Sequence, residues 1–415
     1  CNDSKLFEEN FKSTLCNVMA GVYCRYPFTH LYSDSYHMMM PCCYAVTDHP
    51  YKSRENTSFK STHLKDGAYE FFKSEQMSQL RLDMMKPDPL TPLVKDVCRD
   101  CIAAEEAGIT SPRKPLPQLR FGRVLDVKMR VWGNACNLAC FMCNIKASSK
   151  RQEQAKKLAE YNPKIGEWLE LDQVDKFDQE GMVYDLAVDN PELFDIQLES
   201  FKKLSKKIKS FHIIGGEPFV MPSHYKLLDM LIEIGESKNI ALLYTSNMTV
   251  LHWQEKKITD YFKHFKQVDI TWSVEAVGKY NDYMRFYSKW DQIEENIRMI
   301  VPYLNEFTAG ITLSSLSIFH LDEIVDYCVA RNIPYKFNIV VTPKVCRMEV
   351  IHPSIRKKLA EKYKGTRLDF LCETLLSKVD DWEERWNNFL EYTEAIDHVN
   401  KTNYKEVFPE LCDLS

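Results

Sequence analysis

Cys136, Cys140 and Cys143, in the segment Cys136-Asn-Leu-Ala-Cys140-Phe-Met-Cys143, are the side chains of this sequence best suited to redox chemistry. A four-iron cubane is ordinarily held by four thiolates. Three closely spaced cysteines with no fourth beside them describe a cluster with one iron left open to a substrate or cosubstrate. The run VKMRVWG (127–133) just before them reads as a strand, so the triplet falls at a strand's carboxyl end. A second run, SFHIIG (210–215), leads into Gly215-Gly216-Glu217-Pro218. Its glycines permit positive φ and close backbone approach, and Pro218 stiffens the exit.

Between residues 121 and 345, short β-rich runs alternate with amphipathic helical stretches. The remaining strand candidates are IALLYTS (240–246), VDITWSV (268–274), GITLSSLS (310–317) and PYKFNIVV (334–341). Helices are expected at 150–161, 223–235, 254–265, 290–304 and 321–332. Six such units fit an α/β fold, a partial (β/α)6 TIM-like barrel open on one side. In β-α sheets and barrels ligands bind at the carboxyl ends of the strands, which is where both motifs lie. An insertion at 162–199, rich in Asp and Glu and carrying Trp168, Phe177, Tyr184 and Phe194, has the composition of either a lid or a solvated helical excursion. Residues 1–120 have no β-α rhythm and read as a separate cysteine-rich, metal-braced module. Residues 346–415 read as a C-terminal helical extension, giving three expected domains at 1–120, 121–345 and 346–415.

The 415 residues, 45% of them hydrophobic, supply ample core material, and a net charge of -5 argues against a partner bound through a basic surface, such as a nucleic acid. No apolar run is long enough to span a bilayer and no secretory signal pattern opens the chain, so a cytoplasmic location is expected. Fourteen cysteines in a large chain, several in CxxC-type clusters, point to metal or cluster ligation rather than disulfides.

The triplet and GGEP, one strand apart, closely resemble the core of the radical S-adenosylmethionine (SAM) superfamily. The resemblance implies a [4Fe–4S] cluster on Cys136, Cys140 and Cys143, with SAM chelating the open iron and the backbone of Gly215, Gly216 and Glu217 receiving its amino group. It also implies Asn247 near the ribose or substrate, Ser273 and Glu275 on the ribose hydroxyls, and Arg285 on the SAM carboxylate, a role suited to a planar guanidinium. Ser314 or Ser315 is a further ribose candidate. Met142 stands where the family often has an aromatic against the adenine, and a thioether can pack on a purine.

The front of the chain carries Cys24 in CRYPFTHL, Cys42 and Cys43 in PCC, and Cys98 and Cys101 in CRDC. Cys24, Cys42, Cys98 and Cys101 make up four thiolates, and Cys43 is an alternative to Cys42. Four cysteines also suit zinc. The pattern resembles the twitch and SPASM auxiliary-cluster modules of radical SAM proteins and so implies a second [4Fe–4S] cluster. His37 departs from it by standing where those modules have glycine.

The resemblance implies reductive cleavage of SAM to a 5′-deoxyadenosyl radical that abstracts hydrogen from a substrate, a peptide or protein side chain or a small metabolite, with electrons from a flavodoxin or ferredoxin. The reading from another class is a zinc-braced scaffold without catalysis. No residue in the sequence identifies the substrate base or hydrogen donor.

Overall fold

The computed structural model describes residues 24–33, 38–48, 57–86, 90–111, 113, 124–130, 133–171 and 184–412. Its strands in chain order are β1 (His30–Ser33), β2 (Met38–Met40), β3 (Thr62–His63), β4 (Leu125–Met129), β5 (Ala139–Cys140), β6 (Ile208–Ile213), β7 (Ala241–Ser246), β8 (His252–Trp253), β9 (Lys256–Lys257), β10 (Gln267–Val274), β11 (Arg285–Phe286), β12 (Glu306–Leu313) and β13 (Tyr335–Ile339). The fold is mixed α/β with a largely parallel central sheet, consistent with the expected partial TIM-like barrel. Two compact units divide the chain: 1–131 with 186–213 and 225–242, and 132–185 with 214–224 and 243–415.

In the first unit, β4 pairs in parallel with β1 on one side and β6 on the other, with Val127 opposite Leu31 and Phe211. β2 and β3 extend this sheet antiparallel. The helix Pro191–Leu204 starts at Asn190, whose side chain accepts from the Leu193 amide at 3.1 Å. It buries Phe194, Phe201 and Leu204, and Phe201 meets Phe211 edge-on at 5.4 Å.

Two expectations shift here. The strand expected at 127–133 runs over Leu125–Met129, and the one expected at 210–215 runs over Ile208–Ile213, each starting two residues early. Within the stretch where no β-α rhythm is legible, β1 nonetheless joins the sheet beside β4. At four residues it is too short to produce a readable period.

In the second unit, β10 buries Val268, Ile270, Trp272 and Val274 on alternate positions, and it pairs in parallel with β12, itself parallel to β13. The helix Trp290–Ile300 buries Trp290, Ile293, Ile297 and Ile300, the spacing that made it legible. The strand expected at 310–317 ends at Leu313. Beyond it the Ser317 hydroxyl accepts from the Ser314 amide at 2.7 Å and the Ser314 hydroxyl from the Ser317 amide at 3.2 Å, turning the chain out of the ladder. Similarly, the helix expected at 254–265 is confined to Ile258–Phe262 after the hairpin β8–β9. The helices Pro353–Tyr363 and Trp382–Asn400 belong to this unit. No helix among the described residues is long and apolar enough to cross a membrane.

Candidate SAM and cluster site

Local backbone bonds shape the cysteine loop. The Cys136 amide donates to the Ser149 hydroxyl at 3.2 Å, and the Ser148 hydroxyl donates to the Leu138 carbonyl at 2.8 Å. β5 pairs antiparallel with β11, which sets Cys140 opposite Arg285, and the Phe141 amide donates to the Met284 carbonyl at 2.7 Å. Cys136 and Cys140 are buried and Cys143 is half-buried. Burial pushes the Cys136 thiol up to about 12, with the charges of Glu217 and Cys143 adding to the shift. Burial likewise raises Cys140, against the opposing pull of Arg285, and both other thiols of the triplet act on it. Unligated, these are protonated thiols; an iron ligand set requires their thiolates, so ligation is coupled to proton release.

The glycine turn presses on this loop. Gly215 and Gly216 have φ of 90° and 54°, and a Cβ on Gly216 would stand 2.1 Å from the Ala135 carbonyl oxygen. The Glu217 amide donates to that same oxygen at 2.8 Å. The Glu217 carboxylate in turn accepts from the Asn247 amide at 2.7 Å, the Ser246 hydroxyl at 2.9 Å and the Phe219 amide at 3.3 Å. Burial raises its pKa to about 7 despite these bonds.

Asn247 ties the loops together. Its side chain donates to Asn137, between the first two cysteines, at 3.0 Å, and Asn137 donates to the Thr249 hydroxyl at 2.7 Å. Cys136, Cys140 and Cys143 thus share one loop, which Asn137, Asn247 and Glu217 tie to the Gly215–Gly216 turn. Glu275 and Arg285 join it as a buried ion pair, with Arg285 Nη2 to Glu275 Oε1 at 2.8 Å and Arg285 Nη1 directed to Cys140 Sγ at 3.8 Å. Read separately as ribose and carboxylate contacts, the two are partners of each other. Met142 is buried, and Ser273 is half-buried opposite Gly310 of β12.

Several residues of this site carry no signal in the sequence. Asn137 had the one available clue, a polar side chain inside the motif. Phe141 packs its ring 5.0 Å from Tyr392 and 6.4 Å from Phe389, and its carbonyl accepts from Tyr392 Oη at 2.9 Å, Arg151 Nη2 at 3.2 Å and Cys346 Sγ at 3.4 Å. Tyr392 is 251 positions from Phe141, and no spacing rule reaches that far. Cys346, partnerless in the sequence, lies against the cysteine loop.

The front cysteines lie in the first unit. Cys24 precedes the short helix Tyr26–Thr29, Cys42 follows β2, Cys98 lies between the helices Pro92–Val97 and Arg99–Glu106, and Cys101 lies in the second of these. A bond from the Val46 amide to the Val97 carbonyl at 2.9 Å joins the Cys42 turn to the Cys98 junction. Burial raises Cys42, with added contributions from Cys43, Cys24 and Cys98. Burial also takes Cys98 to about 12, with Cys24 and Cys101 contributing. Cys43 is exposed, and after burial its main influence is Lys128. His37 lies outside the described residues. Among the described residues no group of three or more His, Cys, Asp or Glu side chains forms a site for a single metal ion.

Residues 131–328 match the family model described as the radical SAM superfamily. This segment is thus similar to a radical SAM domain. The match implies a [4Fe–4S] cluster and SAM, and the residues present suit both: three cysteines on one loop, with a glycine turn closed onto its backbone. No curated protein matches. Solved structures with some similarity include native anSMEcpe with bound AdoMet, 14% identical over 52% of this chain and 51% of that chain at a TM-score of 0.36. Streptococcus suis SuiB bound to precursor peptide SuiA is 15% identical over 74% and 60%, at a TM-score of 0.33. TYW1 with a lysine-pyruvate adduct is 14% identical over 56% and 71%, at 0.28. The match spans about half the length of the first of these.

Proposed function

We propose that the protein abstracts a hydrogen atom from a peptide or protein side chain, with Cys136, Cys140 and Cys143 holding a [4Fe–4S] cluster and an auxiliary [4Fe–4S] cluster on Cys24, Cys42, Cys98 and Cys101. The observation that carries the reading is the bridge from Asn137 through Asn247 to Glu217, which fixes the cysteine loop against the glycine turn. When bound, cluster and SAM together supply a carbon-centred radical. This chain's residues do the remaining work. Gly215 and Gly216 let the backbone approach the loop, Glu217 braces the turn, Arg285 sets positive charge beside Cys140, and the buried surroundings keep water from the reacting atoms. A peptide substrate follows from the resemblance of the front cysteines to twitch and SPASM modules, as does a flavodoxin or ferredoxin donor. Cys42 is preferred to Cys43 because it lies within the electrostatic reach of Cys24 and Cys98.

Anaerobic reconstitution with iron and sulfide counting tests the assignment. About eight irons per chain is expected and about four would remove the auxiliary cluster. Zinc without iron would favour the scaffold reading. Reduction with dithionite in the presence of SAM should release 5′-deoxyadenosine, and its absence from fully loaded protein would overturn the activity. Incubation with candidate peptides and with small metabolites, read by mass spectrometry, separates the two substrate classes.

A further inference from the structure

Arg151 is fully buried at the start of the helix Ser149–Tyr161, and nothing paired with it is negatively charged. Its guanidinium donates to the Phe141 carbonyl at 3.2 Å and also to Tyr392 Oη and Gln154 Oε1. Among the described residues no carboxylate pairs with it, and its Nε has no hydrogen-bond partner. The titratable groups facing it are neutral: burial raises Tyr392 well above the ordinary tyrosine value and Cys346 to about 12. Arg285, the other guanidinium at the loop, differs in having its carboxylate in Glu275.

A buried guanidinium without a counter-charge is costly, and folds retain one where an anion completes the pair. The loop that Arg151 already touches through the Phe141 carbonyl offers a place for that anion. Phe141 adjoins Cys140, and Cys346, whose thiol meets the same carbonyl, lies within the electrostatic reach of Cys143. Tyr392 holds the arrangement in place, since its hydroxyl accepts from Arg151 and donates to Phe141 at 2.9 Å. Gln154 extends it to Asn400 at 2.7 Å, anchoring both ends of the network on the helix Trp382–Asn400.

We propose that Arg151 is the buried counter-cation of the cluster on Cys136, Cys140 and Cys143, positioned by Tyr392 of the C-terminal helix, and that it holds the cluster at a potential where it can be reduced. The proposal rests on the assignment of a cluster to this loop. Reduction adds a negative charge, and a nearby fixed positive charge favours the reduced state. Arg151 is a positioning and electrostatic residue; it need not touch SAM.

The test uses Arg151→Gln, Arg151→Lys and Tyr392→Phe in the full chain, with iron counting and a potentiometric titration followed by EPR. Arg151→Gln should bind iron yet show an about tenfold lower ratio of reduced to oxidised cluster at fixed potential, a shift of about 59 mV for one electron. Arg151→Lys should recover most of it, and Tyr392→Phe should shift the same way by less. Melting separates this from packing: Arg151→Gln should destabilise the loaded protein more than the iron-free protein. An unchanged potential in iron-loaded Arg151→Gln, or equal destabilisation with and without iron, would overturn the proposal. Failure of the wild type to bind iron at this loop would instead overturn the cluster assignment itself.

Discussion

Arg285 and Glu275 face each other through two parallel hydrogen bonds, with side chains only 7% and 1% exposed. Each charge is tolerable in the interior because of the other, and the pair sits against Cys140. Glu275→Gln should therefore cost about 3–5 kcal/mol by leaving the guanidinium uncompensated, while Glu275→Gln with Arg285→Met should cost less than the first change alone. Anaerobic denaturation of the three proteins measures both. A single-variant loss under about 1 kcal/mol would show that the pair does not survive in solution.

Gly216 has no room for a side chain. With φ at 54° and the Ala135 oxygen 2.1 Å from any Cβ, Gly216→Ala must push the glycine turn off the cysteine loop. The expected result is a loss of stability of about 1–3 kcal/mol from backbone strain, with less iron retained at the triplet. Gly235→Ala is the control, having positive φ but nothing within 4 Å of a Cβ. Equal iron retention in both variants would contradict the close approach.

Asn247 connects three segments, and Asn247→Ala should loosen them without touching the front cysteines. SAM affinity in the reconstituted protein is expected to fall about tenfold, or 1.4 kcal/mol. Calorimetric titration reads the affinity, and iron counting checks that the iron content is unchanged.

His224 predicts an acid sensitivity. Its Nε2 lies 2.9 Å from Tyr244 Oη in a fully buried setting, and burial lowers its pKa from 6.5 to about 3. Between those values the unfolded chain binds a proton that the folded chain does not. Stability must therefore decline as pH falls through this window, by up to about 1.4 kcal/mol per unit from this group. His224→Gln should flatten that part of the profile in denaturation midpoints measured from pH 7 to pH 5, and an unaltered slope would exclude the histidine as its source.

The motifs were legible because their chemistry is local. Cys136, Cys140 and Cys143 are close enough in sequence to fall on one loop, and Gly215 and Gly216 adopt positive φ at no steric cost. Strands such as β10 were legible through alternating burial, whereas β1 was too short and the Ser314–Ser317 turn hid behind a β-rich composition.

By itself the sequence determined the ligand types, their spacing and the β-α order that sets them at strand ends, because these depend on neighbours along the chain. Tertiary structure alone decided that Glu275 pairs with Arg285, that Asn247 reaches Asn137, and that Tyr392 and Arg151 meet on the Phe141 carbonyl. The partners in these contacts are separated by 10 to 251 positions. A buried charge or carbonyl takes the partner that packing brings within about 3 Å, and sequence distance has no bearing on that choice.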